Sequence, residues 1–145
     1  MRAVVQRVKE TTLKVDGNLI SSIDFGLIVY LGIKKGDTKE KCEYLAGKVA
    51  RLRVFEDENG KMNKSVLDVK GEIMSVSQFT LYGDVSHGNR PSFIEAEQPD
   101  IAKDLYDYFC TKLQENGVQV KKGVFGADMK ISQLSDGPVT IIYDI

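Results

Sequence analysis

The chain has no tryptophan, one histidine, two cysteines and three prolines. A single imidazole means that a Ser-His-Asp triad has to use His87. That residue stands in Ser86-His87-Gly88-Asn89, the composition of a solvated turn. Two thiols and one imidazole fall short of a zinc site. No Gly-rich phosphate loop precedes a helix, and Gly123-Val124-Phe125-Gly126 is too loose to count as one. No metal and no cofactor are therefore expected. No apolar run approaches the ~20 residues of a membrane helix. The opening Met1-Arg2-Ala3-Val4-Val5-Gln6-Arg7 meets charge too soon for a signal peptide. A cytoplasmic protein without a membrane partner is the expectation. Basic charge is not in excess: 20 Lys and Arg stand against 21 Asp and Glu, a net charge of −1. That balance argues against a general nucleic-acid binder, though not against local contact with one end of an RNA. The carboxylates are scattered, with no glycosidase-like pair to single out.

What is present suits one domain over 1–145, with 42% hydrophobic residues to build a core. Thr12–Val15 and Asn18–Ile20 flank Asp16-Gly17, a two-residue hairpin signal. Phe25–Ile33 is apolar and β-branched, which predicts a central strand buried on both faces. A helix follows, with Asp37 as its expected cap, Glu40 completing a capping box, and Cys42, Leu45, Ala46, Val49 and Leu52 as its buried stripe. Arg53–Phe55 and Ile73–Phe79 read as strands, and Tyr82–Phe93 as a loop. Pro99 starts a second helix with Ala102, Leu105, Tyr106, Phe109 and Leu113 inward, ended by Asn116-Gly117. Cys42 and Cys110 both fall on apolar stripes and read as core residues. Val118–Val120 and Val139–Tyr143 are closing strands. The class is α+β: a small β-rich single domain with a strongly bent sheet system and two main helices.

Three local features carry polar groups out of apolar surroundings. Ser77-Gln78-Phe79-Thr80-Leu81 ends a strand in hydroxyls and an amide. Gly88-Asn89-Arg90-Pro91-Ser92-Phe93 lies in the long loop. Asp136-Gly137-Pro138-Val139-Thr140 leads into the last strand, and a proline there can adopt a cis peptide that orients two carbonyls rigidly. Taken alone, each also reads as a strand end, a surface loop and a turn.

In this order, with Gln6-Arg7-Val8, Gly60-Lys61-Met62-Asn63 and Phe125-Gly126-Ala127-Asp128-Met129, they resemble the D-aminoacyl-tRNA deacylase family from residue 1 to 145. One departure is visible: Ser135 stands two places before Gly-Pro, where the family usually carries Asn. The resemblance implies that fold, and hydrolysis of the ester of D-aminoacyl-tRNA and of glycine mischarged on tRNA(Ala). It implies a homodimer with active sites at the subunit interface, where Gly137 and a cis Pro138 of one chain face Ser77, Gln78, Phe79 and Thr80 of the other. Two rigid carbonyls there admit a D-residue or glycine and collide with an L-side chain. Arg7 braces the Gly-Pro turn, or is a surface charge on an edge strand. Backbone N–H groups of Gln78 and Phe79 stabilise the oxyanion, and Ser77 orients the strand end. Phe125 and Met129 pack on the terminal adenine of the tRNA 3′ end, or fill the core. Two other readings stand beside this one: another ester hydrolase with Thr80 as nucleophile, and a non-catalytic tRNA-binding module.

Overall fold

In the computed structural model, which describes residues 1–145, the chain begins with two long strands, β1 (Arg2–Val15) and β2 (Asn18–Gly32). They are joined at Asp16-Gly17, both with positive φ (49° and 78°), as the hairpin signal predicts. Helix α1 (Lys39–Ala50), the short hairpin β3 (Phe55–Glu56) and β4 (Met62–Lys64), and strand β5 (Glu72–Ser77) follow. A single 3₁₀ turn (Phe79–Tyr82), helix α2 (Pro99–Glu115), β6 (Gln119–Lys122) and β7 (Lys130–Asp144) complete the chain.

Five strands form one mixed sheet in the order β6-β5-β2-β1-β7. The β1–β2 and β1–β7 pairs are antiparallel, and β2–β5 and β5–β6 are parallel. The apolar run Leu27–Leu31 therefore lies in a central strand, buried on both faces, as its composition demands. Helices α1 and α2 pack on each other and cover one face; Ala3, Val5, Leu27, Val29, Leu45, Val49, Tyr106 and Phe109 share that core. Both cysteines lie in it, without a disulfide. The other face holds a smaller cluster, Val8, Leu13, Ile23, Ile28, Met74 and Val76. On that face Val4 is half-buried and its cross-strand neighbour Ile142 is 65% exposed. The strands bend where register slips: at Leu13/Lys14 against β2, and at Gln6/Val8 and Lys9/Thr12 against β7.

Several expectations change. Helix α1 ends at Ala50, so Leu52 lies beyond it and is only half-buried; the strand expected at Arg53–Phe55 is Phe55–Glu56, and that expected to reach Phe79 ends at Ser77. Asp37 does not cap α1. Thr38 does, its hydroxyl accepting from the Lys41 N–H at 3.5 Å. Asp37 turns inward instead and accepts from the terminal ammonium of Met1 and the Lys34 N–H, both at 2.8 Å, and from Lys41 Nζ at 3.0 Å. Burial alone raises its pKa, but these donors outweigh it and hold the carboxyl below the ordinary range. The last strand is also longer than predicted. It runs from Lys130, so Gly137 and Pro138 lie inside it and not ahead of it.

Strand β5 can seat on β2 because residue 26 has no side chain. Gly26 has φ +146°, and a Cβ there would lie 1.9 Å from the Glu72 carbonyl oxygen. Backbone cannot yield by that amount. Gly26→Ala is expected to cost roughly 4 kcal/mol or more, because the first β2–β5 pair must open. A urea titration of the purified variant checks this, and wild-type stability would disprove it.

Candidate active site

The β2–β5 ladder continues one residue past the end of β5. The Gln78 N–H donates to the Leu31 carbonyl at 2.8 Å, and there the chain leaves the sheet. Leu81 N–H returns to the Gln78 carbonyl (3.3 Å) and Gly83 N–H to the Thr80 carbonyl (2.9 Å), winding Phe79–Tyr82 into a turn. The N–H groups of Phe79 and Thr80 precede the first bond of that turn and have no acceptor within it. The Gln78 amide is thus committed to the sheet. It is expected from sequence to serve, with the Phe79 N–H, as an oxyanion donor; the N–H groups left without an acceptor in the turn are those of Phe79 and Thr80. The Gln78 side-chain amide donates to the Thr80 hydroxyl, fixing one relative to the other.

A cavity of about 600 Å³ opens beside this turn. Ser77, Gln78 and Phe79 form one wall, and Phe125 and Met129, from the connection between β6 and β7, form another. The expected choice between pocket and core for Phe125 resolves as both. It lines the cavity, and its ring packs against Tyr106 at a centroid distance of 6.0 Å and against the main core. Phe79 is 56% exposed and meets Phe93 edge-on at 5.0 Å. The lining is largely apolar and aromatic, a surface suited to a flat base. Gln98, Pro99 and Ala102 at the start of α2 also line it. Their types carry no site signal in sequence; only Pro99, as a helix start, marks the place. Thr80 is exposed and is not part of the lining. His87 is exposed in the 82–93 loop and is not part of the lining.

Arg7, Gly137 and Pro138 do not line this cavity. They form a second feature on the β1–β7 pair. Gln6 faces Thr140 and Val8 faces Ser135, so residues 136–139 loop out of register between them. The Gly137–Pro138 peptide is cis, and both residues are exposed. Beneath them the guanidinium of Arg7, a residue only 8% exposed, donates to the Asp136 carbonyl (3.1 Å) and the Val54 carbonyl (2.7 Å). The Asp136 carboxylate lies 3.4 Å from Arg7 Nε. Arg7 is thus a buried brace and not a surface charge. Gly137 is required at its position: φ is +126°, and a Cβ would meet Val139 N at 2.9 Å and Val139 Cγ2 at 2.8 Å.

The chain as a whole is similar to known proteins. Residues 4–144 match the family model described as D-Tyr-tRNA(Tyr) deacylase. The chain is 56% identical over 144 residues to the D-aminoacyl-tRNA deacylase of Aquifex aeolicus (strain VF5), covering 99% of this chain and 97% of that one. It is 56% identical over 144 residues to the protein of that name from Thermus aquaticus, covering 99% and 95%. Among solved structures, one titled c-Myc DNA Unwinding Element Binding Protein superposes with a TM-score of 0.93 at 43% identity, covering 100% and 99% of the two chains. A second, titled as a probable eukaryotic D-amino acid tRNA deacylase, has a TM-score of 0.85 at 20% identity over 99% and 98%, a likeness of fold.

The brace can be tested apart from any activity. A lysine has one donor point where Arg7 has a fork, so Arg7→Lys leaves a carbonyl unserved. It is expected to lower stability by about 2 kcal/mol and to speed amide exchange in the 134–140 segment. Both are read from urea titration with hydrogen-exchange mass spectrometry, and unchanged exchange there would refute the bracing role.

Proposed function

Because this chain belongs to the D-Tyr-tRNA(Tyr) deacylase family, we propose that it hydrolyses D-aminoacyl-tRNA in the cavity beside the 77–80 turn. The observation that carries this is the cavity itself: a largely apolar slot with Phe79, Phe93 and Phe125 in its lining, beside the turn whose Phe79 N–H has no acceptor. The terminal adenine stacks against Phe125 and Met129, and the ester lies over Phe79 and Thr80. Water, assisted by the vicinal ribose 2′-hydroxyl, attacks the ester carbonyl carbon. The bond to the ribose 3′-oxygen breaks, that oxygen takes a proton, and a free amino acid and tRNA depart. An aminoacyl ester is already labile, so a modest lowering of the barrier suffices. Backbone N–H donors aimed at the oxyanion supply up to about 3–4 kcal/mol each, and fixed orientation of the attacking group adds to it.

The stereochemical filter is the Gly137–Pro138 turn. It stands away from its own cavity and is held stiffly by Arg7, which supports its use by a second subunit. In the proposed homodimer the turn of one protomer reaches the cavity of its partner, and Val4, Tyr30 and Ile142 lie on the face between them. The half-covered second face of the sheet supports this docking. Carbonyls of the turn approach the substrate α-carbon from the side an L-side chain would occupy. A D-residue passes, and so does glycine, including glycine misloaded on tRNA(Ala). A tRNA substrate supports a cytoplasmic location. No helix is long and apolar enough to cross a membrane.

Incubation with D-tyrosyl-tRNA, L-tyrosyl-tRNA and glycyl-tRNA(Ala) tests this reading. Loss of the first and third with the L-ester intact is expected. Thr80→Val should keep activity within about tenfold, since its hydroxyl has no base to activate it; abolition would make Thr80 the nucleophile. Equal loss of D- and L-esters would remove the filter. Binding of charged and uncharged tRNA alike without turnover would leave a binding module.

A further inference from the structure

The Gly137–Pro138 turn has a second support, on the opposite face of β1 from Arg7. Five polar side chains from three strands form one connected chain there. The Tyr30 hydroxyl on β2 donates to Gln133 Oε1 on β7 at 2.9 Å. Gln133 Nε2 donates to Gln6 Oε1 on β1 at 3.0 Å and to the Ser135 hydroxyl at 3.1 Å. Gln6 Nε2 in turn donates to the Thr140 hydroxyl at 3.2 Å. Each amide donates with its nitrogen and accepts with its oxygen, so the direction of the chain is consistent from end to end. Burial raises the pKa of Tyr30, which keeps its hydroxyl a donor throughout the neutral range.

The two ends of this chain straddle the irregularity in β7. Ser135 is the last residue paired with β1 before the turn, opposite Val8, and Thr140 the first after it, opposite Gln6. Gln133 holds the near side directly and the far side through Gln6. Ser135 is too short to span this distance alone; Gln133 supplies the reach.

From this geometry we infer that Gln133 is a positioning residue. It sets the spacing of the two strand ends that carry the Gly137–Pro138 turn, and so the discrimination between D- and L-esters. This rests on the filter proposed above. Arg7 holds the turn from the helix side of the sheet, and the Gln133 chain holds its feet from the other. Loosening the feet lets the turn retreat without removing any group that faces substrate. The consequence is a leak of L-esters, not a loss of the cavity.

Gln133→Met keeps the length of the side chain and removes all three hydrogen bonds, and Ser135→Ala cuts one arm at an exposed site. The readout is the ratio of D-tyrosyl-tRNA to L-tyrosyl-tRNA hydrolysis, with Gly137→Ala alongside and hydrogen exchange measured for residues 134–140 and 26–31. A fall in the ratio of about tenfold or more in Gln133→Met, a smaller fall in Ser135→Ala, and faster exchange confined to 134–140 are expected. If both variants keep the wild-type ratio while Gly137→Ala changes it, the filter stands and the role of Gln133 is overturned. If wild type does not discriminate, or Gly137→Ala leaves the ratio unchanged, the filter itself fails and takes this inference with it. Should Gln133→Met not fold, Ser135→Ala and Thr140→Val decide the matter, since each removes one exposed hydroxyl.

Discussion

The parallel pairing of β5 on β2 is the contact on which the rest of the site depends. It starts where Gly26 lets the Glu72 backbone approach closer than any side chain permits. It ends where the Gln78 N–H takes the Leu31 carbonyl. Between those points the register is fixed, and with it the place where the chain turns out of the sheet. The Phe79–Tyr82 turn, its free amides and one wall of the cavity follow from that exit. The opposite wall arrives on Phe125 and Met129, held against Tyr106, whose hydroxyl donates to the Ser75 carbonyl of the same β5 strand at 2.8 Å. Both walls thus refer to one strand.

The second organising feature is a charge where charge is expensive. Arg7 is buried beneath β7, and its fork is matched by two backbone carbonyls and a carboxylate, so the desolvation cost is answered by directed hydrogen bonds. An apolar side chain there would remove the donors that Arg7 gives to the Val54 and Asp136 carbonyls. The result is a rigid, exposed turn with no titrating group at its tip. The stereochemical filter proposed for this turn would act through its shape and its fixed carbonyl dipoles.

Local signals in the sequence were reliable where a short stretch decides its own conformation. Asp16-Gly17 specifies its hairpin, Pro99 and Asn116-Gly117 bound α2, and the apolar run 27–31 reports burial on both faces. They failed where a distant partner competes. Asp37 looks like a cap, but the terminal ammonium and Lys41 draw it inward, and Thr38 takes its place. Gly137-Pro138 looks like a turn before a strand, but pairing with β1 on both sides makes it an excursion within one.

The sequence by itself determined the class of fold, the Asp16-Gly17 hairpin and the bounds of α2, because composition and short-range periodicity settle these; the start of β1, the β4 strand and the first half of β7 were not legible in it. Only the tertiary structure decided that Gln78 gives its amide to the sheet, that Phe125 serves core and cavity together, and that Arg7 is buried. It alone brought Tyr30, Gln133, Gln6, Ser135 and Thr140 into one chain. Those outcomes depend on which strands lie side by side and on the slips in their register, and neither is written in any local stretch of residues.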